Sequence, residues 1–213
     1  MGVKRRAISG GRLLLGIMLG GLLAQAIQAQ ELPPPDAAYV DADPAAVRIT
    51  PIDPEDSAQR SALEAALRRE PRSVPLRLQN AQHLVDRGLR ARVPRELAAA
   101  ERAAADDALA RRTVHYNAGW IHYQLGDFDS ARGQWAAAWR QHGGHPEWVP
   151  VAFALALWSQ GDRETALAYY RAAVDARPKR WASAEAIDGS AEPLGANARF
   201  ALQSMRQAAE ASR

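Results

Sequence analysis

The sequence predicts an all-α fold of antiparallel helix pairs. Three observations carry that expectation. From Ser57 onward the chain is a succession of alanine- and leucine-rich segments, each about 11–16 residues long and separated by Gly, Pro or Asp. No segment alternates β-branched and polar residues as a half-buried strand would. A block of small and aromatic residues also recurs after 35 positions. Gly126-Asp127 returns as Gly161-Asp162, Ala131 as Ala166, Trp135 as Tyr170 and Ala138 as Ala173, while Gly119 is answered by Ala154.

Each part follows in order. Lys4, Arg5, Arg6 and Arg12 precede an apolar run, Leu13 to Leu23, with small residues at Ala24, Ala26 and Ala29. That pattern describes a secretory signal peptide over residues 1–29, and the run is shorter than the ~20 apolar residues a membrane span needs. The expected location is periplasmic or secreted, with tethering to the inner membrane if the signal stays uncleaved. Removing it leaves 23 basic against 24 acidic side chains, so the pI near 9.6 gives no reason to expect nucleic acid. Residues 30–56 follow, rich in Pro, Ala and Asp with six prolines, and read as a disordered linker.

Segments 57–70 and 74–88 are helices ended by Pro71 and Gly88. A third segment, 94–110, opens on Pro94, and a fourth runs to Gly126. Asp127 is placed to cap the fifth, which stops at Gly143-Gly144. The sixth ends at Gly161, and Asp162 caps a seventh that runs to Pro178. A polar loop with Gly189 and Pro193 then leads to a last helix, roughly 196–212, striped by Ala198, Ala201, Met205 and Ala208.

Asn117-Ala118-Gly119, Gly126-Asp127-Phe128, Ala131, Trp135 and Ala138 resemble the tetratricopeptide repeat, as do Ala154, Leu157, Gly161-Asp162, Ala166, Tyr170, Ala173 and Pro178. The clear copies span about 112–145 and 147–180, and a degenerate copy spans about 74–111, within a repeat region of 57–180. His122 replaces the family's usual tyrosine, and the upstream copy lacks an aromatic in its second helix. The resemblance implies a right-handed superhelix, with residues 181–213 forming a loop and a capping helix. It also implies that Gly119, Ala131, Ala138, Ala154, Ala166 and Ala173 let helices approach closely. Gly126 and Gly161 would make the turns, and Trp135 and Tyr170 would fill the space towards the next repeat.

In that family the first helix of each repeat lines a concave groove. The matching positions here are Tyr116, Asn117, Trp120, Tyr123 and Gln124, then Trp148, Val151, Leu155 and Trp158. Tyr116, Trp120 and Tyr123 share one helix face. Aromatics with polar tips suit recognition of a protein or peptide partner, and packing within the chain is the alternative for the same residues. Basic residues of the carboxylate-clamp type are missing from these positions.

No catalytic residue stands out. Cysteine is absent, which excludes disulfides and thiolate chemistry. His115, His122, His142 and His145 lie close in sequence but lack the i, i+4 spacing of a helix-borne zinc pair. No phosphate loop or nucleophile elbow occurs, and no cofactor is implied. The expectation is a non-enzymatic adaptor or scaffold in the bacterial envelope. A structural subunit that self-associates, as a homo-oligomer or within an envelope complex, is the second reading.

Overall fold

Aspartates start four of the described helices, and left-handed glycines stop three. Asp56, Asp107, Asp127 and Asp162 each stand at an N-cap and accept backbone N–H groups that have no partner within the helix. Gly126, Gly143 and Gly161 close helices at φ of 79°, 76° and 91°, a conformation costly to any residue with a Cβ.

The computed structural model describes residues 32–212, so the expected signal peptide lies outside the described residues. Ten α-helices and no named strand occur among these residues. In order they are α1 Ser57–Arg69, α2 Val74–Asp86, α3 Val93–Ala103, α4 Ala108–Leu125 and α5 Phe128–His142. They continue as α6 Val149–Gln160, α7 Arg163–Ala176, α8 Pro178–Trp181, α9 Ala184–Ala191 and α10 Ala196–Ala211. The tightest pairings are α2 with α3, α4 with α5, and α6 with α7, three helix pairs stacked as an all-α solenoid.

Helix α4 is the shared wall. Val114, Ala118 and Ile121 recur at helical spacing and pack against Leu78, Leu84 and Leu97 of the first pair. Tyr116, Trp120 and Tyr123 look the other way, into a larger core shared with α5, α6, α7, α9 and α10. Helix α6 is buried from Val149 to Leu157 without a gap, because neighbours surround it on every side. Helix α10 lays Ala198, Ala201, Leu202, Met205 and Ala209 on α6 and α7, so its buried stripe ends on Ala209 where the sequence suggested Ala208.

Gly119 fits beneath Trp135. A Cβ at Gly119 would lie 2.3 Å from the Trp135 indole nitrogen, and that nitrogen donates to the Tyr116 carbonyl at 3.2 Å. Trp135 therefore binds its own two helices together. Tyr170 is likewise buried and donates to the Trp181 carbonyl at 2.6 Å.

Three stretches differ from their expected form. Segment 94–110 is broken: α3 ends at Ala103, and Asp107 starts α4 by accepting from Leu109 and Ala110. The loop after residue 177 instead holds two short helices and a 3-10 turn, Glu192–Leu194, anchored by buried Trp181 and Ile187. The Pro-rich segment is the largest departure. Residues 32–56 are not a free linker, since Tyr39 and Ala45 are buried against the helices.

His83 on α2 is buried with neither ring nitrogen hydrogen-bonded. Burial pulls its pKa below 6.5, reinforced by Arg87 and Arg60 and opposed by Asp86 and Glu64. The unfolded chain thus binds the proton more readily, so this histidine costs stability as pH falls through and below about 6.5. His83→Gln is expected to flatten that part of the stability–pH curve, as read by urea unfolding at pH 5 and 7.5.

Candidate functional site

Part of the face of α4 and α6 expected to form a groove, around Asn117, Trp120 and Trp148, is covered by the chain's own N-terminal segment. This strap crosses the solenoid against the direction of the helix pairs, from α7 back to α1. Tyr169 on α7 donates to the Pro33 carbonyl. Tyr39 packs its ring edge-on to His145, and residue 41 pairs with the turn before α6. There Asp41 N–H donates to the His145 carbonyl at 3.1 Å, Glu147 N–H to the Asp41 carbonyl at 3.1 Å, and His145 N–H to the Asp41 carboxylate at 2.6 Å.

Asp43 is the deepest anchor of the strap. Its carboxylate is fully buried and takes the Arg112 Nε at 3.0 Å on one oxygen and the Trp148 indole N–H at 3.0 Å on the other. The first oxygen also accepts the N–H of Ala45, which turns the strap towards α4. Asn117 then holds the strap's backbone with both ends of its amide. Nδ2 donates to the Val47 carbonyl at 3.0 Å, and Oδ1 accepts the Ile49 N–H at 3.0 Å. Gln79 on α2 completes the line by donating to the Thr50 carbonyl at 3.1 Å.

The expected groove residues divide accordingly. Tyr116, Asn117, Trp120, Tyr123, Trp148, Val151 and Leu155 are all buried. Their rings meet edge-on: Tyr116 with Trp148 at 5.2 Å, Trp120 with Trp135 at 4.8 Å and Trp120 with Tyr123 at 6.2 Å. Gln124 turns to Gln82, which donates to it at 2.7 Å. Trp158 is half-buried and stacks with the Arg163 guanidinium 3.8 Å above its ring, away from the strap.

Sequence reasoning missed the strap residues themselves. Asp41, Asp43 and Arg48 sit in a stretch whose prolines and alanines disguise it as linker. The one usable signal was complementary: indole N–H groups and an asparagine on an apolar face need polar partners once buried.

A cavity of about 470 Å³ remains between the strap, the α4/α6 face and the C-terminal helices. Tyr116, Trp120, Trp148 and Trp181 give it aromatic walls, and Arg48 and Arg180 supply cations. Arg48 stacks 4.6 Å from the Trp120 ring centroid, and its Nη1 is buried without a hydrogen-bond partner. Burial lowers the Arg48 pKa, with Tyr116 and Asp86 opposing, but a guanidinium stays charged at neutral pH. Burial raises the Tyr116 pKa, while the Trp120 side chain and the Arg48 and Arg180 charges pull it back.

The histidines go to separate duties. His115 pairs with Gln134 at 2.7 Å and His122 with Asp127 at 3.2 Å, while His142 and His145 face the strap. No group of three or more metal-ligating side chains gathers among the described residues. No helix among them is long and apolar enough to cross a membrane.

Residues 151–180, from within α6 through α7 into α8, match the family model described as tetratricopeptide repeat. No curated protein and no solved structure matches the chain.

Proposed function

We propose, with the tetratricopeptide match over residues 151–180 as premise, that the chain is a non-enzymatic protein-interaction module of the bacterial envelope. Its concave face takes an extended segment of polypeptide, and residues 45–50 of its own strap are the resident occupant. Asn117 is the observation that carries this reading. It addresses one carbonyl and one N–H of the strap two residues apart, groups that any extended peptide offers whatever its side chains. The basic and apolar pattern of residues 1–29 supports an export route. A partner segment then exchanges with the strap or binds beside it at Trp158.

Burial of Trp120 and Tyr116 favours a second reading, in which the strap is a permanent strut and the module is a structural subunit. Asn117→Ala separates the two. Loss of both bonds should raise the rate of tryptic cleavage after Arg48 roughly tenfold, because two hydrogen bonds to the strap disappear while the helices stay intact. Under the adaptor reading, the same variant carrying a photoreactive residue at Trp158 crosslinks a distinct envelope protein more strongly than the parent does. Crosslinks confined to the chain itself, with the strap demonstrably loosened, would establish the strut.

A further inference from the structure

The cavity behind the strap is lined by three carboxylates and three guanidinium groups, but two of the guanidinium groups have no ion-pair partner. Its carboxylates are accounted for one by one. Asp43 belongs to Arg112, Trp148 and Ala45. Glu147 pairs with Arg177, and Asp41 accepts a backbone N–H from the turn before α6. Two guanidinium groups remain. Arg48 is deep, with Nη1 buried and unpartnered, and Arg180 is exposed at the rim, where it stacks 5.2 Å over Trp181. No described side chain forms an ion pair with either. Nη1 is closed off from the cavity, so an incoming anion meets the rest of the Arg48 guanidinium, which lines the wall.

We propose that this cavity is a binding site for a small organic monocarboxylate with an apolar or aromatic body, its carboxylate held between Arg48 and Arg180. Three features select that chemistry. Guanidinium groups match the planar pair of carboxylate oxygens. Arg48 and Arg180 offer two cations without an ion-pair partner, while Asp41 on the cavity wall and Asp86 near Arg48 oppose a second negative charge, which suits a monoanion better than a phosphate dianion. The walls of Tyr116, Trp120, Trp148 and Trp181 would cover an apolar body, and about 470 Å³ holds a ligand of that size rather than a length of chain. The site uses the strap as one wall, so it requires the strap docked and is lost where a partner segment displaces it.

The test uses the full chain and 3-phenylpropionate as probe, read by tryptophan fluorescence and by saturation-transfer NMR. Its uncharged amide, inorganic phosphate and a short blocked peptide with one glutamate serve as comparisons. The acid should bind with an affinity at least roughly tenfold above that of the amide, since one charge-assisted contact is worth about that factor. Arg180→Gln, on the rim where folding is not at stake, and Arg48→Gln should each weaken the acid by a similar factor and leave the amide unchanged. Circular dichroism checks that both variants fold. Equal binding of acid and amide, indifference to Arg180→Gln, or no binding of the acid overturns the proposal. Preference for phosphate overturns the carboxylate assignment. Tighter binding of the glutamate peptide overturns the free-ligand assignment and gives the two arginines to a polypeptide side chain.

Discussion

Trp135→Ala should lower the free energy of unfolding by roughly 3–5 kcal/mol, enough to leave little of a typical domain's stability. Trp135 is fully buried, closes over Gly119 and satisfies the Tyr116 carbonyl, so truncation opens a cavity and strips a hydrogen bond together. Gly119→Ala attacks the same contact from the other side. The new methyl would overlap the indole ring, and the strain, about 1–3 kcal/mol, exceeds the ~1 kcal/mol of helix propensity that alanine gains. The two changes are coupled: in the Trp135→Ala background, Gly119→Ala should cost nothing or stabilise. Urea unfolding of the four proteins of this cycle checks it, and additive costs would show that the indole and Gly119 do not share that space.

Asp43→Ala should be the most disruptive single change in the strap. It leaves the buried Trp148 indole N–H without an acceptor and Arg112 without its counter-ion. Breaking a fully buried pair costs ~3–5 kcal/mol, but Arg112 lies near enough to the surface to recover some hydration, so roughly 2–3 kcal/mol is expected. The loss should fall on the strap rather than on the helices. Far-ultraviolet circular dichroism should hardly change, while trypsin reaches Arg48 much faster and Trp148 fluorescence shifts to the red. A uniform loss of helicity would mean that strap and solenoid fold as one unit.

The helices were legible because their punctuation is local. Asp127 and Gly126, or Asp162 and Gly161, announce a stop and a start within two residues, and the repeat doubles the signal. The break at Asp107 was hidden among alanines, whose helix preference masks a cap that only a hydrogen bond reveals. The aromatic face of α4 was also readable, since Tyr116, Trp120 and Tyr123 fall at helical spacing. Its covering was not. Composition rightly indicates that residues 32–56 do not form helix, but an extended segment needs no periodicity to dock. Its anchors, Asp43 and the backbone around Arg48, act through partners about seventy residues away or more. The same long reach conceals the cavity, whose walls come from three separated parts of the chain.

The direction of the strap sets an order of events in time. Each helix pair closes over neighbours in sequence, whereas Ile49 meets Asn117 across 68 residues and Pro33 meets Tyr169 across 136. Loop closure over such separations is entropically dearer and slower than helix pairing. The first described residues to be synthesised are therefore the last to settle. Until they do, Asn117 and the sides of Tyr116 and Trp120 that meet the strap stand uncovered, and on the function proposed above an extended segment nearby competes with a strap that its tether favours. Refolding should accordingly show two phases, helicity returning first and protection of Arg48 from trypsin second.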